Sequence, residues 1–221
     1  MNGPKQLIES PDRPFREAPA GAPTAPGVAL EEPPLPLPRA IWALGRCALR
    51  TGVLLARRRI HQPDEHVGRT LRFADGTATE VYRETVIERP PAAVPVILVV
   101  CFRLRRIRST WGHALFRRES ELNTVLFAGF PGLVSKLWLR HDQRGVYRGL
   151  YEWDDPMVAV AYVRALWWAL ALVSVPGSIH YAVLPGLRRD ELLRDPSVAG
   201  VVVQAPEGGW WRLVGADDRA A

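Results

Sequence analysis

Residues 94–187 predict an α+β unit with the order β-α-β-β-α-β, and three observations carry that prediction. A short β-branched apolar run, Val94–Leu104, has the composition of a buried strand. Two alternating runs, Leu133–His141 and Val146–Trp153, flank Asp142-Gln143-Arg144-Gly145 and predict an antiparallel hairpin. Two longer apolar stretches, each opened by capping residue types, lie on either side of that hairpin and predict helices.

The elements follow in order. Ser109–Phe127 begins on the caps Ser109-Thr110, and Phe130-Pro131-Gly132 breaks it. In the next run Val134, Lys136, Trp138 and Arg140 share one face, while Leu133, Ser135, Leu137 and Leu139 share the other. The leucine face suits packing beneath helices. Asp154-Asp155-Pro156 opens the second helix, with acids near the positive end of its dipole and proline in the first turn. Pro176-Gly177 ends it, and Ser178–Leu184 reads as the last strand. This succession is the ferredoxin-like unit. Met157–Val175 has Arg164 as its only charge and approaches the length of a membrane span. The central arginine and the turn and strand that follow favour a helix buried on nearly all sides.

The flanks read differently. Residues 1–38 hold ten of the chain's 20 prolines and predict a disordered tail, since proline removes backbone donors and favours extended chain. Residues 39–93 predict a basic amphipathic helix and a hairpin. Over Arg39–Arg59, Ile41, Leu44, Ala48 and Leu55 recur at helical spacing, with Arg46, Arg50 and Arg57 interspersed. Two placements fit this helix: peripheral contact of residues 39–59 with an anionic membrane, or packing on the domain with its arginines outward. Asp75-Gly76 between Thr70–Phe73 and Thr79–Tyr82 is the hairpin signal. Residues 188–221 predict a short charged helix, Leu187–Arg194, and a hairpin of Val198–Gln204 with Trp210–Val214.

Charge and motifs exclude several function classes. The net charge is +6, with −2 in residues 1–38 and +6 in residues 39–72. Lys5 and Lys136 are the only lysines. The arginines lack the interleaved aromatics of a single-strand binder and no nucleic-acid-binding motif occurs, so no nucleic-acid partner is expected. Cys47 and Cys101 form no CxxC, which excludes a disulfide framework and a thiolate zinc site. Phosphate-loop, dinucleotide, nucleophile-elbow and zinc-protease motifs do not occur. No apolar run follows Met1-Asn2-Gly3-Pro4-Lys5, so no signal peptide and a cytoplasmic location are expected.

Three stretches carry a resemblance. Phe130-Pro131-Gly132-Leu133-Val134-Ser135-Lys136-Leu137-Trp138-Leu139-Arg140, then Tyr147-Arg148-Gly149-Leu150-Tyr151-Glu152-Trp153-Asp154, then Ala159 and Tyr162, resemble the YdhR-like monooxygenases. These belong to the dimeric α+β barrel superfamily with the antibiotic-biosynthesis monooxygenases. The likeness covers roughly residues 94–187. It implies a homodimer whose two sheets close a barrel, and chemistry without metal or flavin. The substrate, an electron-rich phenol or enol, is deprotonated in an apolar pocket and itself activates dioxygen. Other members of the superfamily degrade haem, isomerise lactones or only bind ligands, so fold alone does not decide function.

Candidate residues follow from alternation. Lys136 and Trp138 share a strand face, as do Tyr147 and Tyr151 on the neighbouring strand, and together they can form an aromatic wall for a planar substrate. Cross-strand aromatic packing is the alternative for the rings. Lys136 can stabilise an enolate or stand as a solvated charge at the sheet edge. His113, on the first helix, and His180, on the last strand, are the candidate proton acceptors. The expected function is a cofactor-independent monooxygenase, or related tailoring enzyme, acting on a small apolar or aromatic molecule. The alternative is a non-catalytic binding or interaction protein that uses the fold as a scaffold.

Overall fold

The computed structural model describes residues 33–92, 94–105, 127–199 and 209–217. Their elements are α1 (Leu37–Ala56), β1 (Ile60–His61), β2 (Thr70–Phe73), β3 (Ala78–Ile87), β4 (Val96–Arg103), β5 (Leu133–Leu139), β6 (Val146–Trp153), α2 (Pro156–Val173), β7 (His180–Pro185), α3 (Arg189–Arg194) and β8 (Leu213–Asp217).

All strands join one antiparallel sheet in the order β7-β4-β6-β5-β3-β2-β8, with β1 paired to β3. Its β7-β4-β6-β5 segment places the fourth, first, third and second strands of the expected unit side by side, the ferredoxin-like arrangement. The α+β class holds. Apart from Phe127, the expected helix Ser109–Phe127 lies outside the described residues. β4 and β6 stay in register from Val96↔Trp153 to Arg103↔Val146. The Asp75-Gly76 hairpin forms as expected: Gly76 has φ +79°, and Asp75 Oδ1 accepts from the Thr77 amide at 3.1 Å and hydroxyl at 2.6 Å.

Both faces of the sheet are covered. On one, α2 packs Ala159, Tyr162 and Val163 onto Val96, Leu98, Leu133, Trp138, Tyr151 and Trp153. On the other, Ile97, Val99, Leu137, Leu139 and Leu150 meet Leu71 and Phe73 of β2, Leu192 and Leu193 of α3, and Trp211 and Leu213. The chain's own flanking segments therefore fill the face opposite α2. The leucines expected beneath the helices, Leu137 and Leu139, lie on that opposite face. Leu133 joins the α2 side because the β5–β6 register shifts between Leu133 and Ser135.

The helices show two further differences from expectation. Burial on α1 falls on Ala40, Cys47 and Thr51, spaced by seven and four residues, while Ile41 and Leu55 face outward. Helical spacing alone does not say which apolar stripe meets the core when a helix has two. On α2, Asp155 Oδ1 accepts from the Met157 and Val158 amides at 2.7 and 3.1 Å, so the cap is as expected. α2 is long and apolar enough to cross a membrane by length and composition. It lies instead along the sheet and beside α1, and it is not buried on nearly all sides, because Met157, Trp168 and Leu172 are exposed. Pro33–Leu35, expected within the tail, runs along α2: Arg164 Nε donates to Pro33 O at 2.8 Å and Trp168 Nε1 to Leu35 O at 2.7 Å.

At the C-terminus, Val198 and Ala199 are helical rather than extended, and residues 200–208 lie outside the described residues. β8 pairs with β2, which joins the flanks on either side of residues 94–187 in one sheet. Gly132 precedes β5 with φ +87°, and a Cβ there would lie 2.2 Å from Asp154 Oδ1, so glycine is needed for both reasons.

Candidate functional site

Three paired strands bring the central side chains together. Lys136 of β5 stands opposite Tyr151 of β6 and Thr85 of β3. Its Nζ lies 3.2 Å from the centre of the Trp138 ring, 4.4 Å from Phe127 and 4.7 Å from Tyr151. Trp138 Nε1 donates to Thr85 Oγ1 at 3.1 Å, which fixes the indole, and Phe127 meets that indole edge-on at 5.1 Å. From α2 above, the Tyr162 hydroxyl donates to the Tyr151 hydroxyl at 3.3 Å. Gly149, opposite Trp138, leaves the room the rings occupy: a Cβ there would lie 2.7 Å from the Tyr151 ring.

Burial and aromatic contact pull the Lys136 amine in opposite directions. Ring faces favour the ammonium form. Burial opposes it, and the Arg83 guanidinium on the adjacent strand, itself 5.0 Å over the Trp138 ring, adds like-charge repulsion. Burial wins and holds the pKa well below the usual lysine range. Burial likewise raises Tyr151 and Tyr162, so both phenols stay protonated. The resulting box holds a basic amine whose conjugate acid would be received by three π faces. Such an amine can take a proton from an acidic C–H or O–H, or attack a carbonyl carbon.

The structure brings together only part of the expected site. Lys136, Trp138 and Tyr151 converge. Tyr147 is on the same face of β6 but four residues, or about 13 Å, along it. There it stacks on Phe102 at 5.9 Å and meets His141 at 5.5 Å. His180 alternates with Tyr181 and so lies on the opposite face of the sheet, near Trp210 at 6.2 Å. It cannot serve the Lys136 box as proton acceptor. His113 lies outside the described residues.

Sequence reasoning missed the buried charges of the opposite face. Arg148 is buried between Asp142 (2.5 Å) and Asp75 (2.7 Å), with its guanidinium over Phe73. Glu84 accepts from Arg189 Nη1 at 2.6 Å and from His66 Nδ1 at 2.9 Å. Burial alone would raise its pKa, but the His66 hydrogen bond and the Arg189 charge lower it overall. Glu152 accepts from the Arg189 amide at 3.2 Å, and burial leaves its pKa raised. For Arg148 and Glu152 the signal was a pair of opposite charges four positions apart on one face of an otherwise apolar strand, Arg148-x-Leu150-x-Glu152. Among the described residues, no group of three or more His, Cys, Asp and Glu side chains is set to hold a metal ion.

No family model matches the chain, and no curated protein matches it in sequence. Solved structures do show a partial likeness. An uncharacterised ferredoxin-fold protein from Listeria monocytogenes, related to antibiotic-biosynthesis monooxygenases, is 14% identical over 51% of this chain and 66% of its own, with a TM-score of 0.36. A monooxygenase-like protein from Listeria innocua is 12% identical over 52% of this chain and 66% of its own, at 0.37. A major regulator of staphylococcal pathogenesis is 15% identical over 51% and 69%, also at 0.37.

Proposed function

We propose that the chain is a cofactor-independent monooxygenase, or a related tailoring enzyme, that deprotonates a small phenolic or enolic substrate against Lys136. One observation supports this reading above the others: a buried amine lies on three ring faces, in the apolar surroundings that oxygenation of a carbanion or phenolate needs. Trp138 and Tyr151 hold the planar substrate, and Lys136 takes the place of His180 as proton acceptor. The electrons for dioxygen come from the deprotonated substrate.

A second reading is a ligand-binding protein without catalysis. Its non-catalytic side is favoured by the opposite face of the sheet, where Leu71, Leu137, Leu150, Leu193, Trp211 and Leu213 fill the space in which a barrel lumen would hold reacting groups. Aerobic incubation with a panel of phenols and enols, read by oxygen uptake and by ligand-observed NMR, separates the two. Oxygen uptake that falls by about 10²–10⁴ in Lys136→Met supports the enzyme. Binding to wild type without oxygen uptake supports the second reading, and an absence of binding overturns both.

A further inference from the structure

Among the described residues, α1 and α2 form a layer over the sheet whose outer face is apolar. On α1, with Ala40, Cys47 and Thr51 turned inward, Trp42 and Leu49 point away from the core and are 63% and 76% exposed. On α2, which packs beside α1, Met157, Trp168 and Leu172 do the same, Leu172 being 80% exposed. Isolated exposed apolar residues are ordinary on a protein surface; two adjacent helices both turning large ones outward are not.

Charge selects what this face meets. Arg39, Arg46 and Arg50 fall seven and four residues apart, along one edge of the exposed stripe, and Arg57, Arg58 and Arg59 follow the helix directly. Arg46 lies 4.5 Å over the Trp42 ring, which joins the basic edge to the apolar stripe. Neither α1 nor α2 contains an Asp or Glu. Of the two acids before α2, Asp155 is engaged as its cap and Asp154 pairs with Arg89. A second copy docking through the same face would set one arginine row near another, with no carboxylate in either helix to receive it.

We propose that the α1–α2 face docks on an anionic lipid surface, with both helix axes in the plane of the interface. The large apolar side chains enter the headgroup and acyl boundary, and the arginine edge pairs with lipid phosphate and carboxylate. This inference is independent of the chemistry assigned to Lys136.

Vesicle flotation of the full chain tests it. The protein is expected to float with vesicles of phosphatidylcholine mixed with phosphatidylserine, less with phosphatidylcholine alone, and less at high salt. Trp42→Ser/Leu49→Ser and Arg46→Glu/Arg50→Glu, with circular dichroism to confirm that each is folded, are each expected to weaken binding at least about tenfold. Absence of flotation with the anionic vesicles, or flotation unchanged in both variants, overturns the proposal. So does a wild-type dimer in sedimentation equilibrium that Trp42→Ser/Leu49→Ser dissociates, because the face would then be occupied by a second copy.

Discussion

The two faces of the sheet treat buried charge in opposite ways. On the face opposite α2, every buried charge named above has a partner: Arg148 has Asp75 and Asp142, and Glu84 has His66 and Arg189. On the α2 face, Lys136 rests on Trp138, Phe127 and Tyr151, and among the described residues the charge that shifts it is the cation Arg83. The first arrangement fixes the positions of strands and loops, because removing either partner strands the other in low dielectric. The second leaves a group whose charge state is free to change when a ligand arrives. Paired burial is a structural device, and burial of a basic amine among aromatic rings is a chemical one.

The largest test of that contrast is Arg148→Met. It removes the cation from Asp142, whose side chain is fully buried and keeps only the Arg144 and Val146 amides as donors, and is expected to cost about 3–5 kcal/mol in urea denaturation. A loss under 1 kcal/mol would show that the cluster is not what ties the Asp75 hairpin to β6. Arg189→Met is expected to cost less, about 1.5–3 kcal/mol, because His66 still donates to Glu84.

The Glu84 pair also has a pH signature. Because its folded pKa lies below the ordinary 4.5, its contribution is complete above that value and is lost as the pH falls through the folded one. Glu84→Gln should therefore show a shallower acid limb than wild type in a plot of stability against pH. An identical acid limb would remove Glu84 from the account.

Lys136→Met should change stability with the opposite sign. Replacing a buried amine by an apolar chain of similar length is expected to gain ~1–2 kcal/mol. With its folded pKa lowered, the native state binds fewer protons than the unfolded one, so wild-type stability rises as pH climbs from the folded value to the ordinary lysine range. That rise should flatten in the variant. A destabilised Lys136→Met protein would make the lysine a packing element and weaken the contrast between the faces. The smallest effect is expected for Tyr162→Phe, which removes the 3.3 Å hydroxyl contact to Tyr151 and should cost ~1 kcal/mol or less by thermal melting.

Legibility in the sequence followed the range of the interactions. The Asp75-Gly76 and Asp142–Gly145 turns, the Asp155 cap and the paired runs on either side of them depend on residues a few positions apart, and all formed where the pattern placed them. Lys136, Trp138 and Tyr151 meet because they alternate on neighbouring strands, whereas Tyr147 of the same expected group lies farther along β6. His180 was not excluded, because its face depends on the β4–β7 register and on which side α2 lies. The Glu84–His66–Arg189 cluster joins residues separated by 18 and 105 positions, and no local pattern announces such a meeting.

The sequence sets the order of the described elements between Val96 and Pro185 and divides each strand into two sets of side chains, because a strand's period of two is a property of the backbone. It could not say which set lies under the helices. Apolar content usually decides that, but here both faces are covered, so Leu137 and Trp138 are both buried and their hydrophobicity no longer distinguishes inside from outside. Only the tertiary structure decided it. β2, β8, α3 and Trp211 close over the aliphatic set, and α2 closes over the aromatic one. Lys136 is drawn under the helix layer with the rings it alternates with, where burial strips water from its amine.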